Sequence, residues 1–209
     1  MFKNWTKYSG YLLSGEWHIH TSWTDGDNSV FEYCEKAVKE GIPLLAFTEH
    51  VRRTLDYDFG QFLSEIEQVR ARYNLIVLSG CEAKVLPGGK LDVEECILKE
   101  VDYPIFAFHS FPSDIDQYLE SLKVVLSNTY INAWAHPGYF LSRQGLELPD
   151  KDLIEIFDLS SRHNILLEVN RKYNLPPPRW FDLAKSLGVR LVRGSDIHNV
   201  DRMSRNYMG

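Results

Sequence analysis

Short apolar runs alternate with longer amphipathic ones along the whole of the 209-residue chain. Residues 17–20 read as a first strand. A helix follows, with Ser29 as N-cap and Glu32 as its capping-box partner, and it runs to about Glu40, where Gly41 stops it. A second strand over 44–47, a second helix over 59–73 and a third strand over 75–78 continue the pattern. Pro87-Gly88-Gly89 makes a tight turn in a small insertion before a short helix near 93–100. Beyond it the spacing predicts strands over 105–108, 131–135, 165–169 and 190–193, separated by helices over 114–126, 151–162 and 178–187. Pro178 suits the first turn of the last helix. Seven strands alternating with six helices define an α/β protein with a parallel sheet, and strands this short and apolar suit a sheet covered outside by helices. With no internal repeat, low-complexity tract or long linker, residues 1–209 read as one domain. The pattern alone allows either an open doubly wound sheet or a closed barrel.

The polar residues separate those two. Six of the seven histidines fall at or just past the C-terminal end of a strand: His18 and His20, His50, His109, His136 and His198. Asp25, Glu82 and Asp196 stand in equivalent places. An open sheet gathers ligands at one switch point, whereas a barrel brings every strand's C-terminal end around one mouth. Ligands from this many strands favour the barrel. His18 and His20, two apart on a strand, point to the same face and can reach one metal. His163 lies at a helix end before Asn164, where imidazole suits the helix dipole, and carries no chemistry.

Composition narrows the setting without naming a reaction. At 44% apolar and 25% charged the chain is an ordinary globular one. Its longest apolar runs, such as 42–47, fall far short of the roughly 18 residues of a membrane span, and the N-terminus lacks a signal-peptide profile. Three cysteines (Cys34, Cys81, Cys96) with no CxxC spacing argue against a disulfide framework or a thiolate zinc site and fit a reducing cytoplasm. The formal charge of −6 argues against extended nucleic acid or an anionic membrane as partner, and suits acidic groups neutralised by bound cations.

The run Glu16-Trp17-His18-Ile19-His20-Thr21, followed by Thr24-Asp25-Gly26, resembles the first motif of the PHP (polymerase and histidinol phosphatase) family. Phe47-Thr48-Glu49-His50, Gly80-Cys81-Glu82, His109-Ser110, Ala135-His136-Pro137 and Gly194-Ser195-Asp196-Ile197-His198 extend the similarity over about residues 16–200. The one departure is Glu49, where the family commonly has Asp; that position is not a ligand. The resemblance implies a distorted (β/α)7 barrel with its metal site at the C-terminal mouth of the strands. It further implies two to three divalent ions (Zn, Mn or Fe): His18, His20, Glu82 and Asp196 on one, Glu82 bridging to a second with His109 and His136, and Asp25, His50 and His198 on the third. The implied activity is that of a phosphoric ester hydrolase, in which Glu82, Asp196 and His198 serve metal-activated water attack at phosphorus. The chain ends soon after the last motif, so neither an eighth strand nor a polymerase domain is expected.

Substrate selection then falls to the loops. Arg52 and Arg53 follow His50 directly, and Asn170 and Arg171 follow the sixth strand, so these four are the expected phosphate-binding residues at the rim. Histidinol phosphate, a nucleotide or a sugar phosphate all suit such a site. Two other classes compete. An amidohydrolase-like metallohydrolase also uses H-x-H on a barrel strand, but often bridges its metals with a modified lysine where Glu82 stands. A non-catalytic metal-binding barrel would carry a closed set of about four ligands instead of this open, larger one.

Overall fold

A computed structural model describes residues 3–204 of the chain. Seven parallel strands lie in sequence order: β1 (Glu16–Ile19), β2 (Leu44–Val51), β3 (Ile76–Lys84), β4 (Tyr103–Ala107), β5 (Ala133–Trp134), β6 (Leu166–Val169) and β7 (Leu191–Arg193). They alternate with helices α1 (Val30–Glu40), α2 (Phe59–Arg72), α3 (Glu95–Glu100), α4 (Ile115–Leu126), α5 (Tyr139–Gln144), α6 (Asp150–Arg162) and α7 (Pro178–Ser186). The barrel is nearly closed. Its seam is one bridge between Ile19 and Ile197, where His20 N donates to Ile197 O at 2.8 Å and Ile197 N donates to His18 O at 3.1 Å. A buried carboxylate reinforces this seam: Glu16 accepts hydrogen bonds from Ser195 N at 2.7 Å and Ser195 Oγ at 2.8 Å, and pairs with Arg193 at 3.2 Å.

The sheet divides the apolar side chains into an inner and an outer core. Leu44, Ala46, Leu78, Tyr103, Ile105, Ala107, Ala133, Ala135, Leu166 and Val192 form one buried cluster, the barrel's inner packing. Many of these are small, and Gly80 is smaller still: a Cβ there would meet Tyr103 O at 2.8 Å and Phe47 O at 2.9 Å. That close approach is to the backbones of the two neighbouring strands, which pair with β3 at this point. Outside, Phe106, Trp134 and Leu167 of the sheet pack with Leu122 of α4, Phe157 of α6 and Trp180 of α7, while Ile19, Leu45, Phe47 and Val77 pack under α1 and α2.

Most elements fall where the hydrophobic pattern puts them, and the exceptions have physical reasons. The helix α1 has the full capping box at Ser29 and Glu32, and Gly41 ends it with a left-handed φ of 67°. Strands β2 and β3 run well past their apolar stretches, because Thr48, Glu49, His50 and Glu82 stay paired in one unbroken register from Leu44↔Ile76 to Val51↔Ala83. Strand β5 shrinks to two residues. The helix α5, held between Gly138 (φ 88°) and Gly145 (φ 65°), and the 3-10 turns Asn4–Tyr11 and Val200–Arg202 are too short to leave a periodic signature. Among the described residues, no helix is long and apolar enough to cross a membrane.

Candidate metal centre

The barrel mouth gathers eight imidazole and carboxylate side chains around a ninth, Glu82. This residue sits near the C-terminal end of β3, the strand flanked by β2 and β4. Its Oε1 lies 2.9 Å from His136 Nε2, 3.3 Å from His109 Nε2 and 3.7 Å from His18 Nε2. Its Oε2 lies 3.0 Å from His50 Nδ1 and 3.6 Å from His20 Nε2. Five imidazoles from four strand ends thus converge on one carboxylate. His18 and His20 face inward together, as the two-residue period of a strand requires, and their Nε2 atoms are 3.0 Å apart.

Two further carboxylates flank this group. Asp196, just past β7, places Oδ1 3.4 Å from His20 Nε2, 3.8 Å from His18 Nε2 and 3.4 Å from His198 Nδ1. Asp25, in the loop after β1, lies 3.4 Å from His50 Nε2 and 3.3 Å from His198 Nε2. His18, His20 and Glu82 are fully enclosed, whereas Asp25 is 53% exposed, so the centre opens to solvent on its Asp25 side.

The electrostatics favour ligation. Burial opposes ionisation of Glu82, yet His109 and His18 beside it outweigh that and hold its carboxyl well below the usual range. Asp196 is likewise held low, its burial overcome by His20 and His18, and Asp25 is held low first by its hydrogen bond to His50. Burial pushes His20 down to about 3, which keeps its imidazole neutral with lone pairs available. His50 moves the other way, up to about 9, because Asp25 and Glu82 outweigh its burial.

The donor set fits divalent cations. His20 Nδ1 and His109 Nδ1 are buried with no hydrogen-bond partner among the described residues. Three groups have their ligating atoms within 4.8 Å of one another: His20, Asp25, His50 and His198; His18, His20 and Glu82; and His50, Glu82 and His109. Mixed imidazole and carboxylate donors suit zinc, manganese or iron.

The expected substrate residues divide. Arg52 is half-buried beside the centre; its Nη1 donates to Val51 O at 2.6 Å, and with Trp23, Asp25, His50 and Tyr57 it lines a cleft of about 380 Å³. Arg53 and Arg171 lie on the exposed rim. Asn170 lies deeper than the three arginines. It is fully buried; its amide donates to Glu168 Oε1 at 2.8 Å and its Oδ1 accepts from Tyr173 N at 3.2 Å.

Several residues at the centre carry no sequence-level signal beyond position. Glu168, on β6, accepts from His18 Nδ1 at 2.7 Å and from the His136 backbone N–H at 3.0 Å. Its only trace in the sequence is a carboxylate inside an otherwise apolar strand. Lys172 places Nζ 2.8 Å from Asp196 Oδ2 and borders a second cleft of about 410 Å³ with His198 and Arg202. Glu49 accepts from Thr21 N at 2.9 Å and from the Thr24 hydroxyl, bracing the loop that carries Asp25; burial pushes its carboxyl up to about 7.

Comparison with known proteins places this arrangement. The chain is 30% identical to the DNA polymerase/3'-5' exonuclease PolX of Bacillus subtilis, over 91% of its own length but only 35% of that protein. It is 29% identical to a probable phosphatase of Acetivibrio thermocellus, covering 86% of this chain and 78% of the relative. Among solved structures, histidinol phosphate phosphatase from Lactococcus lactis, complexed with zinc, L-histidinol and phosphate, shares the fold. Its TM-score is 0.68 at 18% identity, with 91% of this chain and 89% of that one covered. The PHP domain model matches residues 16–172, most of the barrel and seven of the nine clustered side chains, and the chain therefore belongs to the PHP domain family.

Proposed function

We propose that this protein is a metal-dependent phosphatase acting on a small phosphorylated molecule. The observation that carries the reading is the convergence of five imidazoles on the single carboxylate of Glu82, with Asp196 and Asp25 at its flanks. In this reading His18, His20, Glu82 and Asp196 hold one cation, Glu82 bridges to a second with His109 and His136, and Asp25, His50 and His198 hold a third. Bound divalent ions of this kind neutralise phosphate oxygens and lower the pKa of a coordinated water.

The remaining work belongs to the rim. Arg52 on one side and Lys172 with Arg202 on the other line clefts of about 380 and 410 Å³, a size suited to small ligands. Arg52 binds phosphate oxygens through its planar fork and Lys172 as a point charge, while Arg53 and Arg171 add to the positive rim. Relatives named as probable phosphatases, matched over most of their length, support monoester hydrolysis. The exonuclease relative makes diesters the arm to test beside it.

The experiment pairs elemental analysis of gently purified protein with a panel of phosphomonoesters and phosphodiesters. Roughly two to three ions per chain are expected, with turnover of at least one monoester that chelation abolishes. Protein that takes up no divalent ion on titration, or turns over no phosphate ester when loaded, overturns the reading.

A further inference from the structure

Glu168 is enclosed at 2% exposure and receives three donors from three different elements. Its Oε2 takes His18 Nδ1 at 2.7 Å; its Oε1 takes His136 N at 3.0 Å and Asn170 Nδ2 at 2.8 Å. The backbone has been cleared for it: a Cβ at residue 194 would overlap the carboxylate, and glycine stands there. Glu168 belongs to none of the three groups whose ligating atoms cluster, and it stands behind His18 on the Nδ1 side of that ring.

We propose that Glu168 is the positioning residue of the metal centre: by accepting the Nδ1 proton of His18 and the amide of His136, it aims one ring and the other ligand's backbone at Glu82. The proposal rests on the metal reading given above. A carboxylate can only accept, so a hydrogen bond from His18 Nδ1 keeps that ring's proton on Nδ1. Nε2 is then the nitrogen left to meet a metal, and it faces inward, 3.0 Å from His20 Nε2 and 3.7 Å from Glu82 Oε1. Imidazole ligands are commonly fixed this way by an acceptor behind them, with losses of about 10–100-fold in metal affinity when it is removed. At His136 the need is different. Its φ of 31° lies in the left-handed region, which is strained for a non-glycine residue, and the charge-assisted bond to its N–H helps hold that conformation.

Glutamine exposes the role because it matches the shape of glutamate but not its bonding. Its amide nitrogen must face a donor in either orientation. Placed on the Oε1 side it would confront the backbone N–H of His136 and the amide of Asn170, which Tyr173 N holds in place through Oδ1. Placed on the Oε2 side it confronts His18, whose Nδ1 must then accept, and the ring proton moves to Nε2, the nitrogen that faces the centre.

The test is E168Q in the full chain, with zinc affinity measured by competition against a chromophoric chelator and folding by circular dichroism. A folded variant should bind zinc about 10–100-fold more weakly than wild type, with a fall in kcat larger than any change in KM. Equal affinity in a folded E168Q overturns the proposal. Should E168Q fail to fold, nitrogen-detected imidazole NMR of zinc-loaded wild type decides: a protected proton on Nδ1 of His18 is expected, and a proton on Nε2 overturns the role. Wild type that binds no zinc fails the metal reading itself, and is distinguished from failure of Glu168 because the wild-type titration alone reveals it.

Discussion

The two halves of the barrel solve the same problem differently. Between β1 and β4 the strands run from four to nine residues, and the two longest, β2 and β3, stay in register over eight residue pairs. His18, His20, His50 and Glu82 reach the mouth there because ordinary strand alternation aims them. Between β5 and β7 the strands are two to four residues long and the ladders correspondingly brief. There His136 (φ 31°) and Asp196 (φ 50°) are aimed by left-handed backbone, and buried carboxylates stand in for missing ladder bonds. Glu168 takes the amide of His136, and Glu16 takes the amide of Ser195. Regular pairing positions ligands at little cost, whereas irregular backbone does so only if side chains over-determine it.

The comparison predicts its largest effect at Glu82, where both halves meet. Glu82→Gln keeps the shape of the side chain but removes the charge that, in the proposed function, compensates closely spaced cations, whose repulsion in an enclosed mouth is large. At least one ion should be lost or weakened, with a fall in kcat on the order of a thousandfold or more. Circular dichroism should stay that of the wild type, because the apolar clusters inside and outside the sheet do not involve this carboxylate. Full metal content and wild-type turnover in a folded variant would refute a bridging role.

Next comes the seam. Glu16 is wholly buried; burial pushes its carboxyl up while Arg193 and Ser195 pull it back. Glu16→Gln leaves the Arg193 charge with less compensation in the interior, and losing one partner of a buried pair costs roughly 3–5 kcal/mol. Urea unfolding of the variant should show a lower midpoint of that order. A loss no larger than that of an exposed substitution would mean that the Ile19–Ile197 bridge alone closes the barrel.

The same division explains what was legible in the sequence. Strand alternation and helix capping are local, so His18 with His20, the Ser29 cap and the stop at Gly41 could be read directly, as could the strand-end positions of the other histidines. The family resemblance supplied their grouping around Glu82. In the irregular half the deciding interactions are long-range. Glu168 meets His18 across 150 residues of chain, and Ser195 meets Glu16 across 179. No periodicity encodes such pairs. Asn170, placed at the rim by its position after β6, is buried on the same face as Glu168 two residues before it and donates to that carboxylate, a contact that sequence proximity alone does not announce. Lys172, two residues on, is the side chain that reaches Asp196.

A smaller effect is expected at Gly194, where the backbone gives way to the Glu168 carboxylate. Gly194→Ala adds one methyl group against it and displaces the acceptor from His18 and His136 without altering any ligand. Zinc affinity should fall by about 10–100-fold, the range for loss of an orienting partner. Chelator competition measures it. Unchanged affinity would show that the carboxylate can shift and still hold both residues, and would narrow the contrast between the two halves.

The smallest effect belongs to the regular half and serves as its measure. Ser29 begins α1, its Oγ accepting from Glu32 N at 3.3 Å, and the helix packs Val30, Tyr33, Cys34 and Ala37 onto β1 and β2. Ser29→Ala removes a cap and leaves every strand pairing untouched, so the loss should be about 1 kcal/mol, the usual cost of deleting an N-cap hydroxyl. Urea unfolding should show a lower midpoint with an unchanged slope, since the surface exposed on unfolding is the same. Zinc affinity should not move, because alternation along β1 aims His18 and His20 whether or not the helix start is capped. If affinity fell along with stability, ligand geometry in the well-paired half would depend on the helices packed outside it, and the distinction between the two halves would collapse into a single dependence on global stability.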